Sequence, residues 1–134
     1  MYCFDTDVMS AVLRREPPLS LVRRLAQTPP AEQATTTITL GELLYGAAKR
    51  GSEQLVARVR DVLTLATEIL PFDAQAAEVY GPLRADLERQ GKRLDEPDLR
   101  IASITLSRDL TLVTGNVRHF KRVPGLSIEN WLEA

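Results

Sequence analysis

The run Thr35-Thr36-Thr37-Ile38-Thr39-Leu40-Gly41-Glu42-Leu43-Leu44 changes character within a few positions. Its first half, Thr35 to Ile38, is β-branched and reads as a strand, because branched side chains suit a pleated, half-buried surface. Thr39 then suits a helix N-cap, with Glu42 at the spacing of a capping box. The helix continues through Leu43, Leu44 and Ala47 to Gly51. A strand that runs straight into a helix is the unit from which parallel sheets are made.

The same junction recurs along the chain. Tyr2 to Asp5 is short, apolar and aromatic, as a buried strand is, and leads into a helical stretch from about Asp7 to Arg15. Pro17-Pro18 breaks that helix, and another runs from Pro18 or Leu19 to about Gln27. Beyond the Thr28-Pro29-Pro30 loop and the opening stretch, an amphipathic helix over about 52–66 lines up Leu55, Val56, Val59, Val62 and Leu63. Glu68 to Phe72 reads as a third strand, and Asp73 caps a helix reaching Gln90-Gly91. After a polar loop from Lys92 to Glu96, Pro97 fits the first turn of a helix carrying Leu99, Ile101, Ala102, Ile104 and Leu106. Thr111 to Thr114 is a fourth strand, and Pro124-Gly125 turns into a last one, Leu126 to Ile128. Strands alternating with helices predict an α/β fold with a mainly parallel sheet of four to five strands, residues 1–134 forming one domain.

Composition narrows the class. With 44% hydrophobic and 26% charged residues the chain reads as a soluble globular protein. No apolar run approaches the roughly 20 residues of a membrane span. Met1-Tyr2-Cys3-Phe4-Asp5 lacks the basic start and apolar stretch of a signal peptide. Cys3 is the single cysteine, so an internal disulfide and a cysteine zinc site are both excluded, and a reducing cytoplasm is the expected setting. The net charge of −1 is unlike that of a basic nucleic-acid binder. Bound cations or a local basic patch can still supply the electrostatics of a nuclease.

In parallel sheets functional groups gather beyond the carboxyl ends of the strands. Asp5 ends the first strand, Glu42 lies in the first turn after the second, Asn116 follows the fourth, and Asp98 opens the helix at Pro97. Converging carboxylates repel one another unless a cation lies between them. Oxygen ligands suit Mg²⁺ or Mn²⁺, and such an ion activates water against a phosphodiester. Each residue also has a plain structural reading: Asp5 as a cap, Glu42 as half of a capping box, Asp98 as a helix N-terminal acid, Asn116 as a turn residue.

The pattern as a whole resembles the PIN-domain family and, within it, the VapC-type toxins. Phe4-Asp5-Thr6-Asp7 is similar to the family's strand-ending Asp-Thr-Asn, and residues Ile38 to Gly46 to its glutamate-bearing helix. Pro97-Asp98-Leu99-Arg100-Ile101-Ala102-Ser103 resembles its Asp-Leu-x-Ile-Ala-Ala stretch, and Thr111 to Phe120 its LVTxNxxxF segment. Val123-Pro124-Gly125-Leu126 and Glu129-Asn130-Trp131 are similar to the family's usual ending. The resemblance implies a three-layer α/β/α PIN-like fold and a Mg²⁺-dependent endoribonuclease, with Mn²⁺ as a substitute. Asp5 and Asp98 would be the main metal ligands, Glu42 the third acid and Asn116 the fourth site residue, with Thr6 and Thr114 supporting by hydrogen bonding. It further implies a homodimer, an RNA substrate, and a VapB-like antitoxin that blocks the site and reaches operator DNA on the toxin's behalf.

Asp7 stands where the family has Asn, Ser103 where it has Ala, and Asn116 where many members have Asp; the neutral Asn116 favours a single strong metal site. Two readings compete with the nuclease: a catalytically weak module acting through antitoxin binding, and a Mg²⁺-dependent phosphatase using the Asp5-Thr6-Asp7 spacing. The remaining conspicuous residues take structural readings: His119 packs or rims the RNA site, Cys3 and Trp131 pack, and Asp95 is the N-cap of the Asp98 helix. An antitoxin segment is expected in an apolar groove around Leu13, Leu21 and Leu44.

Overall fold

Strand β1 (Tyr2–Phe4) lies in the middle of a sheet ordered β3-β2-β1-β4-β5, every neighbour parallel. The computed structural model describes residues 1–66 and 68–134, the side chains of 65 and 66 apart. After β1 come α1 (Thr6–Val12), α2 (Leu19–Gln27), a 3-10 turn at Pro30–Glu32, β2 (Gln33–Thr36), α3 (Thr37–Lys49) and α4 (Glu53–Ala66). Then follow β3 (Glu68–Leu70), α5 (Ala74–Arg89), α6 (Glu96–Ser107), β4 (Thr111–Val113), α7 (Val117–Phe120) and β5 (Ser127–Glu129). The expected α/β architecture with a parallel sheet is present, at five strands.

Burial on both faces explains why β1 has no polar alternation. Phe4 packs with Val8, Met9, Leu21, Val59 and Trp131 in the core on one face. The opposite face carries Leu87, Leu99, Ile101, Leu112 and Phe120 from α5, α6, β4 and α7. Cys3 is fully buried next to Thr105 of α6, and burial pushes its thiol up to about 12. It therefore packs as a small apolar group, as its place on the strand predicts.

Several element boundaries differ from expectation. Strand β2 ends and the next helix begins earlier: Tyr2 pairs with Gln33 and Thr36 with Leu70, which places the whole ladder upstream of Thr37. Thr36, in extended conformation, is then the N-cap and accepts from the Thr39 amide at 3.1 Å, so Thr39 caps nothing and Glu42 falls in the second turn. A run of threonines offers several equivalent caps, and sheet register selects among them. Helix α1 stops at Val12 rather than Arg15, β3 ends at Leu70 rather than Phe72, β5 runs Ser127–Glu129 rather than Leu126 to Ile128, and a one-turn helix α7 follows β4. Asp73 does cap α5, accepting from the Ala76 amide at 2.9 Å. Among the described residues no helix is long and apolar enough to cross a membrane.

The C-terminal segment is fastened by Trp131, which is 1% exposed. Its ring meets Tyr2 and Phe4 edge-on at 4.9 and 5.3 Å, with the Arg24 guanidinium 4.6 Å from its centroid. Its indole N–H donates to Glu129, which also pairs with Arg24 at 2.7 Å, and Ser20 donates to its carbonyl. Trp131→Ala is expected to cost about 3–5 kcal/mol, the usual loss for a buried aromatic. Urea unfolding measures it, and a loss below about 1 kcal/mol would remove Trp131 as the anchor.

Candidate functional site at the carboxyl end of the sheet

Asp5 follows the last residue of β1 and is 3% exposed. One carboxylate oxygen accepts from the Val8 amide at 2.9 Å, capping α1; the other accepts from the Thr114 hydroxyl beyond β4. The Thr114 oxygen in turn accepts from the Asn116 amide at 2.9 Å. The bland reading of Asp5 as a cap and the functional reading are therefore both satisfied by one side chain. Burial chiefly, with the charges of Asp7 and Asp98, pushes Asp5 up to about 7, although the bonds from Thr114 and Val8 favour its ionised form.

Glu42 reaches the same edge from α3. Thr6 donates to it at 2.7 Å, and the Thr6 and Thr39 hydroxyls lie 3.2 Å apart. Thr36 also donates to Thr39, at 3.4 Å. Hydroxyl groups thus tie the start of α1 to the start of α3 and fix where Glu42 stands.

Asp98 is half-buried at the third position of α6, after Pro97. Desolvation first, then Glu42, Asp95 and Asp7, raise its carboxyl to about 6, while His119 acts in the opposite direction. Asp95 occupies the N-cap position of α6 as expected, but its side chain makes no cap bond. Asn116 is the N-cap residue of α7 and likewise makes no side-chain cap bond. The structure brings Asp5, Glu42, Asp98 and Asn116 to one edge, the acids linked by mutual repulsion and Asn116 by the Thr114 relay. His119 lies near enough to Asp98 to act on its charge, as a residue at the rim of the site would. Its signal was its place one turn after Asn116, legible only once α7 is known. Ser103 is fully buried and donates to the Leu99 carbonyl at 2.7 Å, which accommodates a hydroxyl where the family has Ala.

Among the described residues no lysine or arginine forms an ion pair with Asp5, Glu42 or Asp98. Their oxygens are an all-oxygen donor set with uncompensated charge, which fits a hard divalent cation. Among the described residues no three His, Cys, Asp or Glu side chains form a ready metal cage. An open set of this kind suits an ion that keeps several waters.

Next to Glu42 a groove of about 360 Å³ runs between α1, α3 and α4, floored by Leu13, Leu43, Leu55 and Val59 and rimmed by Arg14 and Arg50. Of the apolar residues expected there only Leu13 lines the groove: Leu21 is fully buried because α2 turns it into the core, and Leu44 packs against that core while its neighbour Leu43 takes the lining place.

Residues 2–126 match the PIN domain family model. Ribonuclease VapC2 of Haemophilus influenzae is 36% identical over 98% of both chains. The tRNA(fMet)-specific endonuclease VapC of Salmonella typhimurium is 33% identical over 97% of both. A chain in the crystal structure of VapBC2 from Rickettsia felis bound to a DNA fragment from their promoter superposes with TM-score 0.85 at 33% identity, covering 97% of this chain and 98% of that one. The chain belongs to the PIN-domain family and, within it, to the VapC group.

The raised carboxyl of Asp5 has a thermodynamic consequence. A carboxyl lifted from 3.8 to about 7 binds its proton more tightly in the folded state, so its contribution is complete below about pH 4 and is lost as pH rises toward 7. In metal-free buffer the Asp5→Asn protein should melt above the wild type at pH 8 and level with it near pH 4. Parallel melting curves across that range for the two proteins would contradict the desolvated carboxylate.

Proposed function

We propose that this chain is the toxin of a VapBC-type pair, a Mg²⁺-dependent endoribonuclease that hydrolyses RNA phosphodiester bonds. The observation that supports it most is the set of acids Asp5, Glu42 and Asp98 at one strand edge, with Asp5 and Asp98 desolvated and none of the three paired with a lysine or arginine among the described residues. Relatives named as ribonucleases over nearly the full chain supply the substrate class.

In this reading Asp5, Asp98 and Glu42 hold the ion. When bound, Mg²⁺ or Mn²⁺ supplies the charge that lowers the pKa of a water and steadies the phosphate in the transition state. The protein's share is positioning. Thr114 and the Val8 amide fix both oxygens of Asp5, and Thr6 fixes Glu42. Asn116 carries an uncharged amide that can donate to a phosphate oxygen without adding repulsion. The phosphatase reading requires Asp5 as a nucleophile on another scaffold, and the match of residues 2–126 to the PIN domain family counts against it.

The partner follows from the same neighbours. VapBC and FitAB assemblies bound to DNA are among the similar structures, and a VapB-like antitoxin is the partner proposed here, carrying the pair to its operator. The groove beside Glu42 would take the antitoxin's apolar segment, and an antitoxin arginine near Asp5, Glu42 and Asp98 would compete with the metal.

The decisive experiment is incubation of the purified protein with total RNA in Mg²⁺, in Mn²⁺ and in EDTA. Cleavage is expected with either metal, none with EDTA, and a loss on the order of 100-fold or more in Asp98→Asn. Cleavage that survives EDTA overturns the metal mechanism, and no cleavage in any condition leaves the weakly catalytic module as the better reading. Millimolar Mg²⁺ should also raise the melting temperature of the wild type at pH 8, because it binds only the folded site. An unchanged melting temperature, together with no measurable metal binding, counts against a preformed site.

A further inference from the structure

The outer ridge of α3 holds an aromatic ring that the fold itself does not use. Tyr45 is 66% exposed, the most exposed of the large hydrophobic side chains, and it lies one helical turn beyond Glu42. The exposed stripe through it, at helical spacing, is Thr37, Gly41, Tyr45 and Lys49. The Lys49 ammonium sits 5.9 Å from the ring centroid. Neither Lys49 nor the adjacent Arg50 forms an ion pair among the described residues.

Gly41 adds an independent observation. Glycine weakens a helix interior relative to alanine. Its φ is not positive, and a methyl group at that position would meet nothing within 4 Å, so neither backbone conformation nor internal crowding requires it. Gly46 and Gly81 share these properties, but Gly41 is the one that stands exposed directly next to Glu42, where it leaves room for a strand to lie against the helix. The other large hydrophobics exposed to this degree, Met1, Leu19 and Val22, lie on other elements. A single ring flanked by small and basic groups matches the chemistry of a single strand of RNA, whose bases stack on aromatics while its phosphates meet cations.

Resting on the ribonuclease reading above, we propose that Tyr45 is the stacking platform for the base next to the scissile phosphate, with Lys49 binding the following phosphate and Gly41 letting the sugar-phosphate chain pass close to α3. Tyr45 is thus a substrate-positioning residue, and the ridge of α3 sets the direction in which the strand leaves the acids.

The test uses a short single-stranded oligoribonucleotide with 2-aminopurine at the base adjoining the cleavage position, with binding measured in the Asp98→Asn protein and cleavage in the otherwise wild-type protein. Tyr45→Ala should weaken binding and raise KM about tenfold with kcat nearly unchanged, and should abolish the stacking quench of 2-aminopurine. Tyr45→Phe should restore both, and Lys49→Ala should lower the salt dependence of binding by about 0.7 in slope. Wild-type affinity and quench in Tyr45→Ala, in a protein that cleaves RNA, overturn the platform and leave the ribonuclease intact. A change of mass by light scattering in Tyr45→Ala assigns the ring to a protein contact and also overturns it. A wild type that neither binds nor cleaves RNA overturns the parent reading, and the platform with it.

Discussion

Everything at the functional edge depends on one carboxylate kept out of water at the end of the central strand. Asp5 is held from its own helix by the Val8 amide and from across the sheet by Thr114, so its position registers β1 against β4. Its oxygens are oriented without a neutralising side chain, which is why the site stays electrostatically unbalanced. Burial is what makes this costly, since a surface carboxylate would be screened by solvent. The native state thus contains a local instability that the cores on the two faces of the sheet must outweigh.

Threonine is the means by which the site is ordered without losing its charge. Thr6, Thr36, Thr39 and Thr114 supply neutral hydroxyl groups within hydrogen-bonding distance of the acids or of one another. A lysine or arginine in any of these places would have settled the repulsion and closed the oxygens to a metal. Backbone dipoles take up part of the remaining load: Asp5 and Asp98 sit at the N-termini of α1 and α6, where the helix end favours negative charge.

The alternation of short apolar strands with helices was legible because β1 and β4 are buried on both faces and helix α5 begins at an Asp cap. Asp5, Glu42, Asp98 and Asn116 could be picked out by their place at junctions, and their convergence is a consequence of parallel order. What the sequence hid was register. The stretch from Thr35 to Thr39 has no internal mark of where strand gives way to helix, and only the pairing of Gln33 with Tyr2 and of Thr36 with Leu70 decides it. Leu21 was misplaced for a related reason: a leucine on an amphipathic helix announces that it is buried without saying against what. The proximity of His119 to Asp98 depends on α7, a helix of one turn too short to show a period of its own.

The separation along the chain between Asp5 and Thr114, 109 residues, has a consequence for biosynthesis. Asp5 leaves the ribosome long before Thr114, and its clamp cannot close until the growing chain includes Thr114. Strand β1 likewise waits for β4 before it has neighbours on both sides. A nascent chain therefore carries Asp5 without its clamp while all the residues between the two are being made. The acidic edge is thus assembled only after β4 has been made, and until then nothing holds the Asp5 carboxylate from across the sheet.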